Sequence, residues 1–183
     1  MNNSFRIIGG KWRRQKLAFA NIVELRPTPD RVRETVFNWL SFDIVNKKTL
    51  DLFAGSGSLS FEALSRGAKH AVLIEKSKKQ CDFLLTNKKI LNIDNIDIIN
   101  QDALDYLKNA KNKFDIIFLD PPFAKNLITT TLKELTDKRL ILKQAKIYLE
   151  TEYKITHDLL DNKWEILKQK KAGQVHFCLI KAK

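Results

Sequence analysis

Four short clusters in this chain of 183 residues combine residue types that add little to a core and much to chemistry. They are Asp51-Leu52-Phe53-Ala54-Gly55-Ser56-Gly57, the single acid Glu75, the pair Asp102-Ala103, and Asp120-Pro121-Pro122-Phe123. Gly55 and Gly57 let the backbone approach a ligand with no Cβ in the way. A dinucleotide fingerprint would place a third glycine at position 60, where Ser60 stands, so nothing favours the close packing linked to a pyrophosphate. Glu75, about 20 residues past the turn, suits the hydroxyls of a ribose. Asp102 is a good helix cap, and its carboxylate could also accept from an adenine amine.

Asp120-Pro121-Pro122-Phe123 is the most specific cluster. Two prolines cannot continue a sheet and hold the chain in a rigid extended turn. An exocyclic amine of guanine or adenine is a poor nucleophile, because its lone pair is delocalised into the ring. The Asp120 carboxylate and the Pro121 carbonyl are two acceptors that would draw such an amine towards a tetrahedral geometry. Phe123 would stack on the base and fix its plane. A glycine turn without a pyrophosphate site, followed by this motif, points to S-adenosylmethionine as the ligand and methyl transfer as the chemistry. Ser60 disfavours a nicotinamide-dependent oxidoreductase. None of the three histidines falls at a strand tip, so no general base acting ahead of transfer is expected.

The elements that must carry these clusters alternate. Strands are expected at Thr49–Phe53, Ala71–Ile74, Ile96–Asn100, Phe114–Leu119 and Ala145–Glu150. Helices are expected at Leu59–Arg66, from Ser77 as cap to Leu91 with Cys81, Leu84, Leu85 and Leu91 inward, from Asp102 to Ala110, and at Leu127–Lys138. Trp164–Lys170 and Gln174–Ile180, joined at Ala172-Gly173, read as a closing antiparallel hairpin. Such alternation predicts a doubly wound, Rossmann-like α/β sheet, whose ligands bind at the carboxyl ends of the strands. All four clusters fall at such ends. Upstream, Phe5–Arg13 predicts two short strands joined at Gly9-Gly10. Thr28 and Pro29 predict the cap and first residue of a helix whose Val32, Val36, Trp39 and Leu40 face inward.

The net charge is +12, from 33 Lys and Arg against 21 Asp and Glu. Hydrophobic residues make up 44%, which excludes a disordered chain. Two cysteines far apart, Cys81 and Cys178, argue against a disulfide framework or a zinc site and for a reducing interior. No apolar run reaches signal-peptide or membrane-span length, so a cytoplasmic protein without membrane contact is expected. Six of the eight arginines lie within the first 33 residues. Arginine's planar fork grips phosphates and guanine edges in pairs. Arg6, Lys11, Arg13, Arg14, Arg26, Arg31 and Arg33 are therefore candidate nucleic-acid contacts, with Trp12 able to stack on an unpaired base. The expected division is a basic, RNA-binding hairpin extension over residues 1–25 and a methyltransferase domain over residues 26–183.

Arg6-Ile-Ile-Gly-Gly-Lys-Trp-Arg, the stretch from Arg26 to Leu40, Asp51 to Gly57 and Phe118 to Phe123 together resemble the RsmD family of bacterial ribosomal RNA methyltransferases over nearly the whole chain. The glycine turn and Asp-Pro-Pro also occur in DNA amine methyltransferases, whereas the arginine-rich helix start is particular to this family. The resemblance implies a class I AdoMet-dependent fold and transfer to the N2 amine of one guanine in 16S rRNA, within a partly assembled small ribosomal subunit. It implies cofactor contacts at Asp51, Ala54, Gly55, Gly57, Glu75 and Asp102, to which position adds Phe53, Ser56 and Ala103, and a target pocket at Asp120, Pro121, Pro122 and Phe123. Tyr is frequent in the family where Phe123 stands, so stacking survives here without the hydroxyl. A monomer without metal is expected. Two alternatives stay open: a DNA adenine-N6 methyltransferase, and a non-catalytic RNA-binding or assembly factor of the same fold.

Overall fold

In the computed structural model, which describes residues 3–22, 27–122, 125–161 and 163–183, strands and helices alternate through most of the chain. Their order is β1 (Asn3–Arg6), β2 (Lys16–Phe19), α1 (Asp30–Trp39), β3 (Lys48–Asp51), α2 (Ser58–Ser65), β4 (His70–Glu75), α3 (Lys78–Ile90), β5 (Ile96–Asn100), α4 (Ala103–Asn109), β6 (Phe114–Leu119), α5 (Lys125–Asp137), β7 (Ile141–Thr151), β8 (Trp164–Ala172) and β9 (Val175–Ala182). Seven strands form one sheet in the order β5-β4-β3-β6-β7-β9-β8. β3 to β7 run parallel, and the β8–β9 hairpin closes the edge antiparallel. Phe5, Val36, Phe61, Leu84, Phe118 and Tyr148 pack on one face, beneath the N-terminal hairpin, α1, α2 and α3. Leu107, Ile117, Leu132, Leu135 and Ile147 pack on the other, beneath α4 and α5. Strands covered on both faces need apolar side chains in both directions, which is why β6 reads as a nearly unbroken apolar run. This is the doubly wound, Rossmann-like α/β fold, with the closing hairpin and a small antiparallel hairpin at the N-terminus.

Several local expectations are corrected. Gly9-Gly10 does not form the hairpin turn. β1 and β2 are joined by residues 7–15, and the two glycines lie against the end of α2, where a Cβ on Gly10 would come within 1.9 Å of the Ser65 carbonyl oxygen. α1 begins at Asp30, not Pro29, and Thr28 makes no capping bond; the Pro29 carbonyl accepts from the Val32 and Arg33 N–H groups instead. Leu85 is exposed, because its neighbour Leu84 takes the inward position and one helical step turns the next residue by about 100°. β7 starts at Ile141, four residues before the first inward apolar residue after it, Ala145. The exposed Lys143 and Gln144 hide that beginning from an apolar scan.

Candidate active site

β3 delivers Asp51 into the turn that holds Phe53, Ala54, Gly55, Ser56 and Gly57. Gly57 has φ +77°, and a Cβ there would lie 2.6 Å from Leu84 Cδ2 and 2.8 Å from the Phe61 ring. Only glycine combines that backbone with that proximity to α2 and α3. The Gly55 N–H donates to Glu75 Oε2 at 2.9 Å, and the Ser77 N–H to Oε1 at 2.7 Å. Glu75, at the tip of β4, is thus aimed by two main-chain donors. Asp102 follows β5 and caps α4, accepting from the Leu104 N–H at 2.9 Å and lying 3.9 Å from Lys76 Nζ. Ala103, the first residue of α4, is buried behind it.

Asp51 is buried, and Ser60 Oγ donates to its Oδ2 at 2.8 Å. Burial pushes this carboxyl up to about 7; the bonds from Ser60 and the Phe53 backbone oppose the rise, and the charge of Glu75 adds to it. The serine read from the sequence only as a missing glycine therefore holds an acid in place. β3, β4 and β5 are neighbours, so Asp51, Glu75 and Asp102 form a row of acids along three adjacent strand ends. Ribose hydroxyls, an adenine amine and an amino-acid ammonium all present donors to such a row. The acids and the glycine turn fit S-adenosylmethionine.

Asp120 follows the end of β6, with Pro121 buried and Pro122 exposed beside it. Its carboxyl is raised well above the ordinary carboxylate value by burial and by the charges of Glu150 and Asp51. Phe123 lies outside the described residues, as does Arg26. Glu150, which the sequence analysis did not single out, stands near the end of β7. Tyr148 Oη donates to Glu150 Oε2 at 2.7 Å, and the Thr28 side chain also hydrogen-bonds this carboxyl. Burial raises Glu150 too, while the Tyr148 and Thr28 bonds oppose the rise. An acid closing a predicted strand was the available signal, the same one that marked Glu75.

The arginines divide. Arg6, Arg13, Arg14 and Arg31 line one open cleft of about 340 Å³, together with Ile7, Ile8, Asp30 and Glu34. Lys11 and Arg13 are exposed, and Lys11 Nζ sits 5.0 Å from the centre of the Trp12 ring. Trp12 itself is half-buried against the core, so its ring is partly committed to packing. Arg33 corrects its expected role on the RNA face. Its side chain is fully buried and donates to the Thr28 carbonyl at 3.1 Å, the Arg6 carbonyl at 2.8 Å and Asp30 Oδ1 at 2.6 Å. Beneath it lies Glu62, also fully buried, which accepts from the Ile8 and Gly9 N–H groups at 2.8 Å and from Arg66 Nε at 2.7 Å. Arg33 and Glu62 thus clasp the N-terminal hairpin to α1 and α2, and the buried Arg33 guanidinium is not available to RNA. The same segment joins cleft to site: Arg31 lines the cleft, and Thr28 three residues earlier touches Glu150.

The fold and the site define a Rossmann-like methyltransferase. The chain belongs to the RsmD family: the family described as Conserved hypothetical protein 95 matches residues 5–181. It is 43% identical to Ribosomal RNA small subunit methyltransferase D of Buchnera aphidicola, over 96% of this chain and 95% of that protein. It is 40% identical to the protein of that name from Escherichia coli, over 97% and 90%. Among solved structures, an Escherichia coli protein 40% identical superposes with a TM-score of 0.89 over 98% of both chains. A Haemophilus influenzae protein, also 40% identical, gives 0.80 over 97% and 98%. A structure of SMU.776 complexed with S-adenosylhomocysteine shares the fold alone, at 19% identity and a TM-score of 0.68 over 90% of this chain and 53% of that one. No helix among the described residues is long and apolar enough to cross a membrane.

Proposed function

We propose that this protein transfers the methyl group of S-adenosylmethionine to the exocyclic N2 amine of one guanine in 16S rRNA. The observation that carries the reading is the meeting of two features in one structure. A row of strand-end acids beside a glycine turn suits the cofactor, and Asp120-Pro121 stands at the adjoining strand end beside Glu150, whose partner Thr28 lies three residues before the cleft-lining Arg31. The relatives named as small-subunit rRNA methyltransferases support the substrate class.

Bound cofactor supplies an electrophilic methyl on a sulfonium. Glu75 holds the ribose hydroxyls, Asp102 the adenine amine, and Asp51 faces the amino-acid end, with Phe53, Ala54, Ser56 and Ala103 shaping the walls. Asp120 and the Pro121 carbonyl accept from the target amine and localise its lone pair, Pro122 stiffens the turn, and Phe123 stacks on the base. The amine loses its surplus proton once it has been methylated, so no base is needed ahead of transfer. Arg6, Lys11, Arg13, Arg14, Arg26 and Arg31 hold the RNA backbone, with Trp12 at the rim. Residues 1–25 act as the RNA-binding extension and residues 26–183 as the methyltransferase domain. The substrate is a partly assembled small subunit in the cytoplasm, met by a monomer that needs no metal.

A DNA adenine methyltransferase is the second reading, since Asp-Pro-Pro serves either amine, but the relatives named as small-subunit rRNA methyltransferases favour the first. Incubation with labelled S-adenosylmethionine and either small-subunit particles or duplex DNA separates the two. Label in the particle rRNA is expected; label in DNA alone would replace this reading, and label in neither would favour a non-catalytic binding factor.

A further inference from the structure

We propose that Glu150 is a specificity-determining residue, which accepts the ring N–H beside the target amine and so selects guanine over adenine. Its role rests on the guanine reading above. β6 and β7 run parallel with Phe118 opposite Tyr148 and Leu119 opposite Leu149, which sets Asp120 and Glu150 side by side one step further on. Side chains alternate along a strand, so both acids fall on the face of Phe118 and Tyr148, whose rings meet edge to face at 6.4 Å. That face carries α1, the helix whose N-terminal segment supplies Thr28.

Two acids side by side repel each other, and nothing in the core requires the second. Glu150 is nonetheless held by two hydroxyls, with Tyr148 Oη at 2.7 Å. Each carboxylate oxygen still has a lone pair to offer. The mutual repulsion of Asp120 and Glu150 is relieved when a pair of donors enters between them, and guanine presents such a pair. Its N1–H lies next to its N2 amine on one edge, so Asp120 takes the amine and Glu150 the ring N–H. Adenine also carries an amine beside N1, but its N1 is a bare acceptor whose lone pair would face the Glu150 carboxylate. Buried polar groups left unpaired in this way discriminate strongly between substrates.

The test compares wild type and Glu150→Gln on small-subunit particles, one set with the natural target guanine and one with that base replaced by adenine. A carboxamide can turn either its oxygen or its NH₂ to N1. The guanine-over-adenine ratio of single-turnover rates should therefore shrink by roughly tenfold or more, about what one base-edge contact is worth. Affinity for S-adenosylmethionine should stay at the wild-type value. A purely structural Glu150 would slow both bases alike and leave the ratio unchanged, which would overturn the proposal. Tyr148→Phe, which withdraws the hydroxyl aiming the carboxylate but keeps the acid, should shrink the ratio in the same direction and serves if the glutamine variant fails to fold; an unchanged ratio there also overturns it. Wild-type transfer to adenine in preference to guanine would overturn the guanine reading itself, whereas transfer to guanine with an unchanged ratio in the variants would remove Glu150 alone.

Discussion

At Asp120 a carboxyl is held where its charge is costly, between burial and the charges of Glu150 and Asp51. Such a group gains most when a partner with developing positive charge arrives, as an amine does on taking a methyl group. Asp120→Ala should therefore lower the single-turnover rate by about 10²–10³-fold with little change in cofactor affinity. Glu75→Ala should do the reverse and weaken cofactor binding by tenfold or more, the worth of hydrogen bonds to a charged group. Calorimetry beside rapid-quench kinetics reads both, and any variant that moves both quantities together would contradict the division of labour. Asp51 gives a pH signature. Its carboxyl keeps its proton in the native chain up to about 7, whereas the unfolded chain releases it near 3.8. Between those values the native state binds the extra proton, so this residue's contribution to stability falls as pH rises through the window and is level above it. Asp51→Asn should remove that fall, worth up to about 1.4 kcal/mol per pH unit, so its stability relative to wild type should rise between about pH 4 and about pH 7 in urea titrations.

At the scale of elements, the N-terminal hairpin is built into the domain. Phe5, Ile7, Leu17 and Phe19 share the core with α1 and α2, and β2 is fastened to α3 by Gln80 and Asn87, which bond the Ala20 N–H and the Ala18 carbonyl at 2.8 Å. Arg33 and Glu62 form the buried clasp beneath. Arg66 and two main-chain N–H groups would still hold Glu62, but Arg33→Ala leaves a buried gap and takes the donor from the Thr28 and Arg6 carbonyls and from Asp30, so it should cost about 2–4 kcal/mol in chemical denaturation. Arg31→Gln, two residues away and exposed, should cost almost nothing. The alternation of strands and helices, the glycine turn and the four strand-tip clusters were legible in the sequence because each is local: periodicity, a glycine pair, an acid before a helix. Arg33 and Glu150 were not. Whether an arginine on a capped helix meets RNA or a buried glutamate depends on Glu62, distant in sequence and without any mark of its own. The pairing of Glu150 with Asp120 depends on a parallel register that no window along the chain contains.

At the scale of the molecule, the positive charge is spent unevenly. Arg6, Arg13, Arg14 and Arg31 converge on one cleft, while lysines are scattered over the rest of the chain. Because residues 3–19 belong to the fold, the RNA role of the cleft is tested by neutralising charges and not by deletion. The triple variant Arg13→Gln, Arg14→Gln, Arg31→Gln should bind RNA more weakly and flatten its salt dependence by roughly 0.7–0.9 per lost phosphate contact in a plot of log affinity against log salt. An unchanged slope would mean that these arginines are only solvated surface. Cofactor affinity in the same variant should be that of the wild type, since none of Asp51, Glu75 and Asp102 lines the cleft.

The central claim, methylation of one guanine amine in small-subunit rRNA, is tested most directly by a nucleoside-resolved map of methyl marks. The map would cover rRNA from small-subunit particles incubated with S-adenosylmethionine, with and without this protein. One additional N2-methylguanine at a single position is the expected result. A mark on adenine, or no mark in rRNA under conditions where the protein binds S-adenosylmethionine, would contradict it.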